Sequence, residues 1–216
     1  MRHVLSLYKH FFLFATIFVC MFFSQPAFSI PHKQQDQLTQ IENYLHSLKT
    51  MKARFIQTAS DGGKASGVFY LQRPGRMRFE YDDPIEDFIV ADGSMIYFYD
   101  SEMEQQSNVA IGNSLADFIL RSDLKLSGDV TVTNLRTEKE DDTLHVTLTQ
   151  TSDPEAGALT LVFQRSPMRL LKWFIYDAQG HTTEVSLWEI ETGLLFKDKK
   201  LFRYRDPKID KPIYND

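Results

Sequence analysis

From Ser66 to Asp100 the chain reads SGVFYLQRPGRMRFEYDDPIEDFIVADGSMIYFYD, which can fold into little other than short strands in close succession. Aromatic and β-branched residues fill Gly67–Gln72, Met77–Tyr81, Phe88–Ala91 and Met95–Tyr99. Between them stand Arg73-Pro74-Gly75, Asp82-Asp83-Pro84 and Asp92-Gly93-Ser94. These residues reverse a backbone: Pro presets φ, Gly tolerates positive φ, and Asp bonds its own main chain. In the second segment Met77, Phe79 and Tyr81 fall on one face, and Arg76, Arg78 and Glu80 on the other. The apolar face must meet a core, a partner or a ligand.

The flanking sequence extends the pattern. Leu38, Ile41, Leu45 and Leu48 make one stripe at helical period and predict a helix over Gln34–Met51. A strand over Ala53–Ser60 and the hairpin signal Asp61-Gly62-Gly63 follow. After a polar strand over Glu104–Ala110, Asn113-Ser114 is placed to cap a helix running to Arg121, with Leu115, Phe118 and Ile119 on one face. A further helical turn is expected over Leu124–Leu126. Strands resume over Val130–Thr137, Thr143–Gln150, Leu159–Gln164, Leu170–Asp177 and Thr182–Ile190, with a last one over Leu201–Tyr204. Hairpin spacing throughout implies an antiparallel meander, and a sheet so wide curls rather than lying flat.

The first residues stand apart. Arg2 and Lys9 precede the apolar run Phe11–Phe23, and Ala27-Phe28-Ser29 offers small residues for cleavage. The run is shorter than the roughly 20 residues a membrane span requires. Residues 1–29 therefore read as a cleaved signal peptide, and 30–216 as a single domain. Cys20, the one cysteine, lies within the leader and has no small residue ahead of it, so it does not make a lipoprotein cleavage box. The formal net charge is −5, and loss of Arg2 and Lys9 takes it to −7. An acidic exported domain suits neither nucleic acid nor an anionic lipid surface.

No catalytic constellation emerges. Asp92-Gly93-Ser94-Met95 is a turn and not a nucleophile elbow, and no Gly-rich phosphate loop is present. His32, His46, His145 and His181 are scattered, and none has metal-ligand spacing. Asp82-Asp83 and Asp141-Asp142 lie in turns. What remains unusual is apolar surplus. Leu171, Trp173 and Ile175 oppose Phe174 and Tyr176; Val185 and Leu187 oppose Trp188 and Ile190; Met95–Tyr99 is apolar on both faces. A sheet with one wet face shows cleaner alternation. Either the helices fill the curl as an ordinary core, which composition alone favours, or the curl encloses an apolar cavity with exchangeable contents.

The ordered set Phe55-Ile56-Gln57-Thr58, Arg73-Pro74, Met77, Phe79, Pro84, Val90, Asp92-Gly93, Tyr97-Phe98-Tyr99 and Gln105 or Gln106 resembles the periplasmic outer-membrane lipoprotein carrier family, LolA. The resemblance can be followed over most of Pro31–Tyr204. It implies a mainly β fold: a strongly curved, incomplete antiparallel barrel of about 10–11 strands. The N-terminal helix and short central helices would form a lid over its concave apolar face. It implies a chaperone, not an enzyme, with no cofactor and no metal. The acyl chains of lipoproteins would leave an inner-membrane ABC transporter and pass to an outer-membrane acceptor lipoprotein, or to that membrane itself. By the same resemblance, Met77, Phe79, Tyr81, Phe98, Leu161, Phe163, Trp173 and Ile175 would line the cavity. Leu38, Ile41, Leu45, Leu115, Phe118 and Ile119 would face it from the lid, and Arg73 would gate closure. Met77 stands where the family usually carries a larger aromatic. A monomer with no nucleic-acid partner is expected. A periplasmic lipid- or lipoprotein-sensing regulator of the same fold, and an exported lipid hydrolase, are the other two readings.

Overall fold

In a computed structural model of the chain, which describes residues 32–114 and 116–207, all the strands join one antiparallel sheet. The expected signal peptide and Leu115 lie outside the described residues. Helix α1 (His32–Ser47) is followed by β1 (Thr50–Thr58), β2 (Lys64–Gln72), β3 (Arg76–Tyr81), β4 (Phe88–Asp92), β5 (Met95–Asp100) and β6 (Gln105–Ala110). A 3-10 turn (Ile111–Asn113) and helix α2 (Asp117–Leu120) lead to β7 (Val130–Glu138) and β8 (Thr143–Gln150). A second 3-10 turn (Pro154–Ala156) precedes β9 (Gly157–Arg165), β10 (Met168–Asp177) and β11 (Thr182–Thr192).

The sheet has eleven strands in the order β6-β5-β4-β3-β2-β1-β11-β10-β9-β8-β7. Two meanders are therefore joined at the centre, where β1 pairs with β11, and among the described residues β6 and β7 are left as the two free edges. The chain runs directly from one edge to the other through residues 111–129. A cover spanning the open side of the curl is thus a consequence of strand order.

Inward-facing residues follow the alternation. Phe55, Phe69, Leu71, Met77, Phe79, Ala91 and Ile96 are buried on one meander, and Leu144, Val146, Leu148, Leu159, Leu161, Phe163 and Leu170 on the other. Gly67 lies between Phe55 and Tyr81 in the ladder; a Cβ there would stand 2.0 Å from the Glu80 carbonyl oxygen and 2.7 Å from the Phe55 ring. Only glycine lets β3 and the Phe55 ring approach so closely.

Several expectations are corrected. The first helix stops at Ser47, because Thr50 and Met51 already belong to β1 and pair with Gln72 and Leu71. The second helix shrinks to Asp117–Leu120; the Ser114 hydroxyl accepts from the Ala116 N–H (3.1 Å), which satisfies a turn and not a long helix. Leu124–Leu126 is not helical, although both leucines are buried. Leu201–Tyr204 forms no strand: β11 already has β1 and β10 as neighbours, so the chain crosses the outer face as a strap. Along it Phe196 packs on Tyr70 and Phe202, and Tyr204 stacks on Tyr97 at 4.7 Å. A bulge between Leu170 and Lys172 shifts the parity of β10, so Leu170 joins Trp173 on the inside in place of Leu171. Ile190 likewise packs against the core, beyond the irregularity where β11 meets Lys52 and Arg54.

Candidate functional site

The inward face of the sheet is not uniformly filled. A cavity of about 370 Å³ lies against it. Met77, Phe79, Phe98, Leu161, Trp173 and Ile175 line it, together with Ile119 from α2. The structure adds Phe69, Ile89, Ile96, Leu159 and Val185. Parity was their signal: Phe69 shares a face with Leu71, Ile96 with Phe98, and Leu159 with Leu161. The aromatic floor is tight, with Phe69 4.7 Å from Phe79 and 5.6 Å from Trp173 between ring centroids.

The polar groups of the lining are Gln57, Asn113, Ser114, Gln150 and Thr183, all neutral. An uncharged, mostly aromatic and aliphatic wall recognises hydrocarbon without fixing its register.

Other expected site residues lie elsewhere. Phe163 is fully buried and meets the Tyr44 ring edge-on at 5.8 Å. Tyr81 is half-buried, and its hydroxyl donates to Gln57 (3.0 Å); burial and the nearby Asp87 push it up to about 12. Leu38, Ile41 and Leu45 are buried in the core and do not line the cavity. Their helix seats Tyr44, whose hydroxyl accepts from the Leu170 N–H (3.1 Å), so α1 plugs one end of the concave face. Phe118 is buried too, next to a separate groove that includes Asp117, Arg121 and Val130.

The cover is tied down by polar bonds. Arg73, only 9% exposed, donates from Nε to the Ile119 carbonyl (2.6 Å) and from Nη1 to the Leu45 carbonyl. It thereby joins α2 and α1 to the β2–β3 turn. The Gly75 N–H reaches the Leu120 carbonyl (2.8 Å) from the same turn. Arg73 Nη2 is buried with no hydrogen-bond partner among the described residues. Desolvation pushes this guanidinium down to about 10, with Tyr44 acting in the opposite sense. The closed cover therefore carries an unfavourable buried charge beside its favourable bonds. Residues Leu124 and Leu126 hang from α1: His46 Nε2 lies 2.8 Å from the Leu124 carbonyl, and Glu42 accepts from the Leu126 N–H at 2.7 Å.

Comparison with known proteins adds to this geometry. A family model described as "Outer membrane lipoprotein carrier protein LolA" matches residues 46–205. An outer-membrane lipoprotein carrier protein of Legionella pneumophila (strain Corby) is 28% identical over 200 residues, covering 89% of this chain and 94% of its own length. Its counterpart in Methylococcus capsulatus is 26% identical over 197 residues, with 88% and 90% covered. The crystal structure of a LolA superfamily protein from Nitrosomonas europaea overlays with a TM-score of 0.45 at 12% identity, covering 79% of this chain and 97% of that one. So loose an overlay adds nothing to the assignment.

Proposed function

The chain belongs to the outer membrane lipoprotein carrier protein LolA family, and on that premise we propose that it is a periplasmic carrier of lipoproteins. It takes their acyl chains into the cavity and moves them from the inner to the outer membrane. The observation that supports this most directly is the uncharged apolar cavity beneath a cover held by main-chain carbonyl bonds to one arginine. Residues 1–29 direct export and are removed. An inner-membrane ABC transporter loads the carrier, and an outer-membrane acceptor lipoprotein or that membrane itself unloads it. The chain performs no catalysis.

Energetics favour such a device. Each buried methylene is worth roughly 0.8 kcal/mol, so one long acyl chain represents on the order of 10 kcal/mol that water opposes. The cavity, at about 370 Å³, is near the lower end of ligand-sized pockets, roughly 300–1,000 Å³. The cover must therefore shift to admit more than one chain. Arg73 makes that shift reversible. Opening breaks its bonds to Leu45 and Ile119 but lets the guanidinium reach water; closing over an empty cavity restores the bonds.

Uptake of a fluorescent fatty acid tests the reading. The wild-type protein binds it, and Phe79→Glu, which places a charge against the Phe69–Trp173 floor, abolishes uptake while the circular dichroism of the fold persists. Unchanged uptake by a folded Phe79→Glu protein refutes the cavity as the acyl site.

A further inference from the structure

The two free edges of the sheet are not alike. On β7 the ladder is interrupted by a bulge between Val132 and Asn134, and Arg136 pairs with Glu138 at 3.1 Å along the strand. Helix α1 leans on it through Gln37 Nε2, which donates to the Thr137 hydroxyl at 2.9 Å. Bulges, charges and covering elements are how proteins keep an edge from pairing with other chains. Among the described residues, edge β6 has no bulge and no charge within its span. Its residues, Gln105-Gln106-Ser107-Asn108-Val109-Ala110, include no charge and no proline, and its register with β5 is unbroken.

The phase of the ladder shows which groups are free. The Ile111 N–H donates to the Ser94 carbonyl (3.1 Å), so that pair is a mutually bonded one. Alternation then makes Ile96–Val109, Phe98–Ser107 and Asp100–Gln105 bonded pairs. Gln106 and Asn108 are left with N–H and C=O directed outward from the sheet.

That edge is reached from the cavity. A groove of about 430 Å³ shares Ile89 and Phe98 with the cavity lining and continues past Met103 to Gln105, Gln106 and Ser107. Met103 is 62% exposed. A molecule whose hydrocarbon fills the cavity can thus emerge beside β6.

We propose that β6 receives, as an added antiparallel or parallel strand, the extended polypeptide that follows the acylated terminus of a lipoprotein. This rests on the carrier reading above. Main-chain bonds read no side chains, so one edge serves cargo of any sequence, and the lack of charge on β6 imposes no selection.

Hydrogen exchange with two probes tests it. One is a triacylated cysteine lipopeptide whose peptide is as long as β6; the other is the same lipid without the peptide. The lipopeptide is expected to slow the Gln106 and Asn108 amides about tenfold, and the lipid alone to leave them unchanged. Asn108→Pro, which removes an outward N–H and spares the bonds to β5, is expected to weaken lipopeptide binding about tenfold and lipid binding not at all. Lipopeptide that occupies the cavity while both amides keep their free rates overturns the strand proposal and leaves the carrier reading standing. If neither probe binds, both fall. Protection of these amides in the ligand-free protein, whether constant or rising with protein concentration, marks the chain itself or a second copy as the occupant and also overturns it.

Discussion

Leu161 and Phe163 stand two residues apart on β9 and face the same way, yet Leu161 borders the cavity and Phe163 borders none of it. Their cross-strand partners continue the contrast. Val146, Leu161 and Trp173 form one row, and Leu144, Phe163 and Leu170 the next. The sheet supplies the same kind of inward wall to both rows. The difference lies opposite. At the Phe163 end α1 delivers Tyr44, and the helix buries Leu38, Ile41 and Leu45 in the core. At the Leu161 end the described residues of the cover offer Ala116 and Ile119. Filled and hollow ends of a β curl thus differ in the side chains that the described part of the covering segment brings opposite each row.

The largest effect expected from this contrast is at the filled end. Phe163→Ala removes a ring with no room to relax and is expected to cost about 3–5 kcal/mol of unfolding free energy. Urea denaturation measures it, and fatty-acid binding by the folded fraction stays near wild type. A loss of binding as large as the loss of stability would mean that the two ends are one site.

Next comes the hollow end treated in the opposite sense. Leu161→Trp is expected to fill space that Phe163 never had, raising the Kd for a fluorescent fatty acid at least about tenfold. Stability should change by less than about 1.5 kcal/mol, because the added volume enters a void and not a packed core. Severe destabilisation would show that the hollow is smaller in solution than its walls indicate.

How much of this contrast the amino-acid order reveals depends on the residue. Parity in Met77–Tyr81 places Met77 and Phe79 inward, and the stripe Leu38, Ile41 and Leu45 marks the buried side of α1, with Leu48 buried just past its end. Both follow from local periodicity. Whether an inward residue faces a neighbour or a void depends on a segment far away in the chain, so Leu161 and Phe163 are indistinguishable by pattern. Bulges defeat parity too: one extra residue at Leu171 turns Leu170 inward. The strap from Gly193 to Tyr204 is rich in aromatics like a strand, but strand order leaves it no edge beside β11.

Arg73 links the two ends, since it bonds Leu45 of α1 and Ile119 of α2. Arg73→Leu removes both bonds together with the buried charge. Closure over an empty cavity then keeps the Gly75 N–H bond to the Leu120 carbonyl but gains neither Arg73 bond, so cargo is retained and hand-over to an acceptor slows several-fold while loading persists. Stopped-flow transfer of a fluorescent fatty acid to acceptor vesicles measures the rate. Release at the wild-type rate would mean that α1 and α2 are not coupled through this residue.

The smallest expected effect concerns how the hollow end is braced without a filled interior. Just beyond Tyr81, Asp82 accepts from Arg54 Nη1 (2.8 Å) and from the Ser66 hydroxyl (2.6 Å), and its N–H reaches the Ser66 carbonyl (2.8 Å). These bonds tie β1, β2 and the end of β3 from outside. The Arg54 and Ser66 hydrogen bonds hold the Asp82 carboxyl down to about 2, whereas an unfolded aspartate titrates at about 3.9. A depressed carboxyl contributes its stability fully above the unfolded value and loses it as pH falls through the folded one. Wild type and Asp82→Asn are therefore expected to differ modestly in urea midpoint at neutral pH and to converge between about pH 4 and pH 2. A gap that persists unchanged through that window would place the brace in the shape of the turn and not in its charge. The hollow end would then be held open by backbone geometry alone.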